Sequence, residues 1–273
     1  MKTKICLALL IAFIGLSTSC KKHNHSDPGP VKTNPDTVKT NPDTVKTNPD
    51  SIKTKKKYLT QLILADTVGT VFRTITYSYD SKKRPISAKI DDENSESDYF
   101  YNDQGDLYMM NVLRKNVLSS SSTFTYVDGK LSAVVQKSSE NGVESELHNF
   151  SYDYNGKITT ELEAGFFPNF YTYDDNNNII FFRLDDGYQD TQYTFDDKKN
   201  PYTNMPQDFK NPYIGGRETC STNNIVKSVI IGGGVTTNYT YTYDSDGYPK
   251  TGISLQNFDF PSDFRYTYVY TEL

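Results

Sequence analysis

Few side chains in this chain have the type and spacing to do chemistry. Of its three histidines, His148 alone lies in the aromatic-rich part of the sequence. A Ser-His-Asp site would have to use it, yet no Gly-X-Ser-X-Gly elbow is present to expose a nucleophile. His148 beside Asn149 therefore reads as a strand residue. Asp91-Asp92 and Asp185-Asp186 offer the carboxylates that glycosidases use. Those enzymes hold two carboxyls about 5–9.5 Å apart across a cleft, whereas sequence neighbours in a turn point apart. Asp244-Ser245-Asp246-Gly247 begins like a calcium loop but lacks the later Glu, so weak incidental cation binding is the most it implies. Gly232-Gly233-Gly234 is not followed by Lys-Ser/Thr, so it reads as a hairpin turn rather than a phosphate cradle. His23 and His25 with Asp27 could touch a transition metal, but they sit in a low-complexity tract that makes a poor cage. No cofactor, metal or catalytic residue is predicted.

The chain has 273 residues, 36% hydrophobic and 14% aromatic, with 22 Tyr, 15 Phe and no Trp. No apolar run is long enough for a membrane-spanning helix, and three Cys cannot staple so long a chain. Lys2 and Lys4 precede an apolar run from Ile5 to Leu16, which reads as a secretory leader over residues 1–19. Leu16-Ser17-Thr18-Ser19-Cys20 resembles the lipobox of bacterial lipoproteins. That resemblance implies cleavage before Cys20 and lipidation of its thiol and new amino group. Acyl chains would anchor it durably at about 0.8 kcal/mol per buried CH₂. Cys6 leaves with the leader, so Cys220 has no partner and no disulfide is predicted.

Residues 20–57 form the anchor Cys and a stalk. Val31-Lys-Thr-Asn-Pro-Asp-Thr37 recurs at 38–44 and again, ending in Ser, at 45–51. Pro35, Pro42 and Pro49 forbid a helix, so the tract reads as a semi-extended linker reaching roughly 35 Å. Residues 21–57 carry nine Lys and four Asp, net +5. The remaining 58–273 holds 18 basic and 30 acidic residues, net −12. A basic stalk suits an anionic membrane surface, and an acidic domain repels phosphate backbones, so no nucleic-acid partner is expected.

Residues 58–273 are built from one unit. An alternating aromatic strand ends in Tyr-Asp or a near variant, a short Asn/Asp/Gly turn follows, and an apolar strand returns. The aromatic anchors are Tyr79, Tyr101, Tyr126, Tyr152, Tyr173, Phe195, Tyr243 and Tyr268, spaced by 22, 25, 26, 21, 22, 48 and 25. The interval of 48 reads as two units with one signature lost. A fixed period of this size marks a repeat architecture. Tyr-Thr-Tyr places aromatics on one sheet face and Thr on the other. Asp or Asn then bonds the backbone ahead of it, and Gly supplies a positive φ. Cross-strand Tyr ladders are expected to stabilise the sheet.

Tyr-Asp-X-X-Gly with an apolar return strand at this spacing resembles the YD repeats of Rhs-type proteins. Together with the lipobox it is similar to a group of Bacteroidota outer-membrane lipoproteins of unknown function that carry such repeats. The resemblance implies a porin-like or shell-like, strongly curved antiparallel sheet. With about eight units and no core protease or toxin domain, it does not imply encapsulation. The fold class expected is all-β: an antiparallel meander of about 14–16 strands, strongly curved or barrel-like. One irregular insertion interrupts it at 199–217, with three Pro and a short helical turn expected at Gln207–Lys210. This insertion reads as a plug or as a lid, with Tyr202, Phe209 and Tyr213 as its ligand-facing candidates.

The function expected is non-catalytic: a cell-envelope lipoprotein whose β-repeat domain binds a glycan or protein ligand or serves a structural role. Its alternatives are a carrier of a hydrophobic molecule within the curved sheet and an envelope glycan hydrolase. Lys21-Lys22-His23 lacks the acidic run associated with surface export in Bacteroidota, which favours the periplasmic face of the outer membrane.

Overall fold

A computed structural model describes residues 56–139, 144–163, 168–184, 190–257 and 263–273, with side chains of 144–146 outside the description. The leader, Cys20, the stalk up to residue 55, the His23–His25 pair and Asp185-Asp186 lie outside the described residues.

Among the described residues sixteen strands close into one barrel. They are β1 (Lys57–Ala65), β2 (Val71–Tyr79), β3 (Pro85–Ile90), β4 (Ser95–Tyr101), β5 (Leu107–Arg114), β6 (Val117–Val127), β7 (Lys130–Ser138) and β8 (Glu144–Tyr152). The second half is β9 (Ile158–Glu163), β10 (Asn169–Tyr173), β11 (Ile179–Arg183), β12 (Thr191–Phe195), β13 (Ile225–Ile230), β14 (Val235–Tyr243), β15 (Pro249–Gln256) and β16 (Phe264–Glu272). Each strand pairs antiparallel with its sequence neighbours, and β1 closes on β16 through Leu59–Tyr270 and Leu62–Tyr268. Closure removes the unpaired edges that an open meander would leave. Sixteen strands in a meander match the expected fold class.

The Tyr-Asp motif works as a turn, a bulge and a staple at once. In the turns after β8, β10 and β14, Asp153, Asp174 and Asp244 accept backbone N–H bonds from the residues two and four positions ahead, at 2.8–3.0 Å. The fourth turn position is left-handed, at Lys83, Gly105, Gly156, Asn177 and Gly247. Register slips at every motif aromatic from Tyr79 to Tyr243, where one extra residue of the return strand bulges out. Bulges sharpen local twist and re-aim side chains at a barrel rim. The hydroxyls of Tyr79, Tyr101, Tyr126 and Tyr152 donate to the carbonyls of Leu59, Pro85, Leu107 and Leu131, at 2.6–2.9 Å. Each acceptor opens, or nearly opens, the return strand of the preceding hairpin. A repeat is thereby pinned to its neighbour through a side chain as well as through the ladder. Rings also meet across neighbouring strands, as Tyr58 does Tyr79 at 5.6 Å and Tyr171 does Phe182 at 5.3 Å. Burial holds the phenols protonated, the Tyr152 hydroxyl being pushed up to about 12.

The interval of 48 residues is corrected by the structure. Between Phe195 and Tyr243 lies a single hairpin, β13–β14, and the extra length is the connection from 196 to 224. No repeat signature is lost there; an insertion replaces one turn, and chain length alone cannot tell the two apart.

The register assigns the faces. Tyr77 and Ala88 pair inward, and Thr76 and Lys89 pair outward. By the same alternation Lys89, Asp98, Lys137, Arg183, Lys227 and Arg265 stand on the outer face, and Tyr99, Phe124, Phe150, Tyr171, Tyr193 and Tyr266 line the inside. The outer face carries these charges with Thr and Ser, and exposed apolar side chains such as Leu147, Leu162, Phe170, Ile253 and Leu255 as well. At one rim, residues at or near the starts of the return strands, including Leu59, Leu107, Leu131, Ile158, Ile179 and Ile225, are buried.

Candidate functional site

The connection between β12 and β13 folds into the mouth at the Tyr-Asp rim. It holds a 3₁₀ turn at Gln207–Lys210, at the place expected, and two single-turn helices, α1 (Pro212–Gly215) and α2 (Arg217–Cys220). Asn211 caps α1 by accepting the Tyr213 N–H at 2.8 Å, with Pro212 at the first helical position. Thr219 donates to the Phe209 carbonyl at 2.7 Å. Gly215 lies so close to Thr219 and to the Phe209 carbonyl that no Cβ fits there.

This segment is a plug seated against the wall. Tyr202 meets Tyr77 edge-on at 6.4 Å, Phe209 meets Tyr99 at 4.8 Å, and Tyr213 lies 4.4 Å from His148. Arg217 covers the Phe182 ring at 3.9 Å and donates to the Tyr193 hydroxyl at 2.8 Å. Asp208 accepts the Leu107 N–H at 3.2 Å and the Tyr126 hydroxyl at 3.0 Å. Asn204 donates to the Lys57 carbonyl at 2.7 Å. The three aromatic candidates thus point at the barrel wall, with Phe209 buried.

Two polar clusters have structural explanations. His148 Nδ1 lies 3.0 Å from Glu161, which also accepts the Tyr171 hydroxyl at 2.6 Å, and all three side chains are buried. Burial opposes ionisation of Glu161, but these hydrogen bonds outweigh it and hold the carboxyl below its ordinary range. At the Asp244 turn, the Lys57 ammonium lies 2.7 Å from Asp244 and 2.5 Å from Asp246. A lysine thus occupies the place where a cation would sit, and it ties the start of β1 to the β14–β15 turn. Cys220 is buried, bonds the Gly216 carbonyl at 3.1 Å, and has its thiol raised well above the ordinary range by burial. That thiol is protonated and a poor nucleophile. Among the described residues no group of three or more His, Cys, Asp or Glu could hold a metal ion.

Between plug and wall a cavity of about 650 Å³ opens at the rim. Its wall comes from three successive Tyr-Asp hairpins, bearing Lys130, Lys157 and Asn177, and its floor from the plug, bearing Gln207, Lys210 and Asn211. The volume is within the ~300–1,000 Å³ usual for small-molecule sites. Lys130 and Lys157 stand over the rings of Tyr152 and Tyr173, at 5.3 and 5.2 Å. Among the described residues Lys130, Lys157 and Lys210 make no ion pair, whereas Lys57, Arg73 and Arg84 each do. Burial lowers the Lys210 ammonium's affinity for its proton. The sequence reading missed these lysines. A signal was available: Lys130 and Lys157 each follow a turn Gly.

No protein-family model and no curated protein matches the chain. Among solved structures it is similar to a porin-like protein from Bacteroides uniformis, at 18% identity and TM-score 0.49, covering 78% of this chain and 96% of that one. A porin-like protein from Bacteroides vulgatus matches at 15% identity and TM-score 0.47, covering 80% of this chain and 100% of that one. The Photorhabdus luminescens Tc holotoxin pore matches at 12% identity and TM-score 0.21, over 73% of this chain and 9% of that one. At these identities and scores the likenesses carry no functional argument.

Proposed function

We propose that this chain is a lipid-anchored envelope protein whose barrel stands in water and binds a polar ligand, without catalysis, at its plugged mouth. The anchor is Cys20, and the basic stalk spaces the barrel from the membrane. The observation carrying the binding reading is the cavity, of about 650 Å³, framed by repeat turns and a fixed plug. Its side-chain amides and ammonium groups suit a ligand rich in hydroxyls and favour it over a hydrophobic cargo. The aromatic candidates Tyr202, Phe209 and Tyr213 then act as the plug's attachment to the wall, shaping the site from behind. β1 starts at this same rim, across the mouth from the cavity, and the periplasmic face keeps the site within reach of envelope glycans.

The test is a saccharide-binding screen on the full chain beside a Thr222→Trp variant. Thr222 is exposed on the cavity lining, so the indole obstructs the opening without entering the core. Thr240→Trp, on the outer face, is the control. Binding lost only in Thr222→Trp, with the saccharide recovered unchanged, is the expected result. Binding that survives obstruction, or release of shortened sugar, refutes this reading.

A further inference from the structure

Within that binding reading, we propose that the cavity selects acidic saccharides, with Lys130, Lys157 and Lys210 supplying the charge that recognises a sugar's carboxylate or sulfate. Three facts converge. The lysines come from separate elements, the start of β7, the turn before β9 and the plug's 3₁₀ turn, yet line one cavity. Lys130 reaches across to the next turn, where its Nζ would lie 3.7 Å from a Cβ on Gly156, beside Lys157. Among the described residues none of the three has a carboxylate partner, in a region holding 30 acidic and 18 basic residues. Three ammonium groups brought to one cleft concentrate positive potential there.

The cavity lining sets three ammonium groups against two carboxylates, Asp208 and Asp175. Asp208 accepts hydrogen bonds from Leu107 and Tyr126. Burial raises the pKa of its carboxyl, with the Tyr126 hydroxyl and the Leu107 N–H opposing. Asp175 is exposed at the lip. Asn155, Asn177, Gln207 and Asn211 offer amide donors and acceptors to ring hydroxyls. Ammonium groups contact carboxylate and sulfate as point charges, which accepts either acid.

Calorimetry on the full chain would compare digalacturonate, a sulfated disaccharide and neutral digalactose. Both acids are expected to bind about tenfold or more tightly than digalactose, since a hydrogen bond to a charged group is worth about one decade or more. Added salt should weaken the acids alone. Lys210→Gln and Lys130→Gln should each lose about tenfold for the acids with unchanged melting temperature, Lys210→Arg should restore binding, and Lys227→Gln on the outer face should do nothing. If digalactose binds as well as the acids and Lys210→Gln is silent, acid selectivity is overturned while the binding barrel stands. If no saccharide binds, both readings fall.

Discussion

Removing a single hydroxyl from the staple should weaken the barrel by an amount the geometry sets. Tyr79→Phe keeps the ring and its edge contact with Tyr58 at 5.6 Å, but strands the Leu59 carbonyl that the hydroxyl meets at 2.6 Å. Leu59 is 1% exposed, so water does not readily replace the donor. The net value of one such bond is about 0.5–1.5 kcal/mol, and an unsatisfied buried acceptor raises the cost to about 1–3. About 1–2 kcal/mol is therefore expected, or roughly 2–8 °C in melting temperature for a domain of this size. Tyr152→Phe, which frees the Leu131 carbonyl, should cost the same. The two sites lie six strands apart around the wall, so the double variant should lose about 2–4 kcal/mol, additive to within about 0.5. Tyr154 is 96% exposed, and Tyr154→Phe is the silent control. Urea unfolding followed by tyrosine fluorescence reads all four. If both staple variants unfold like the parent, or Tyr154→Phe is equally damaged, the staple does not hold the repeats together.

Further outcomes follow from the same structure. Glu161→Gln should flatten the acid limb of stability. The folded carboxyl titrates below its ordinary 4.5, so the unfolded chain binds the extra proton and stability falls as pH drops through that range; an unchanged limb in acid-denaturation curves would refute the pairing with His148 and Tyr171. Gly247→Ala should cost about 1–2 kcal/mol through its left-handed backbone alone, because a Cβ there meets nothing within 4 Å; equal melting curves would show that the turn relaxes. Gly252→Ala should destabilise by crowding, since its Cβ would lie 2.9 Å from the Tyr241 ring, and trimming that ring with Tyr241→Leu should relieve the crowding; a double variant no better than the sum would refute the clash. Cys20→Ala should move the chain from the membrane to the soluble fraction. On intact cells added protease should leave residues 21–57 uncut, and cleavage there would place the chain at the cell surface.

Much of the fold is written locally. Tyr-Thr-Tyr alternation, Asp-capped turns and left-handed Gly positions recur within windows of a few residues, so hairpins and an antiparallel meander are legible from sequence alone. The short turn at Gln207–Lys210 is legible for the same reason. Closure of β1 on β16 is not, because it joins residues some 200 positions apart and depends on accumulated twist and bulge. Nor can sequence say which way the 196–224 connection folds: its proline-rich chain suits a lid or a plug, and only contacts with Tyr77, Tyr99 and His148 decide between them. The lysines of the cavity belong to three segments, each of which reads in isolation as an ordinary solvated side chain. Their shared cavity comes from stacking one hairpin beside the next around a closed wall, a property of the whole barrel that no single repeat contains.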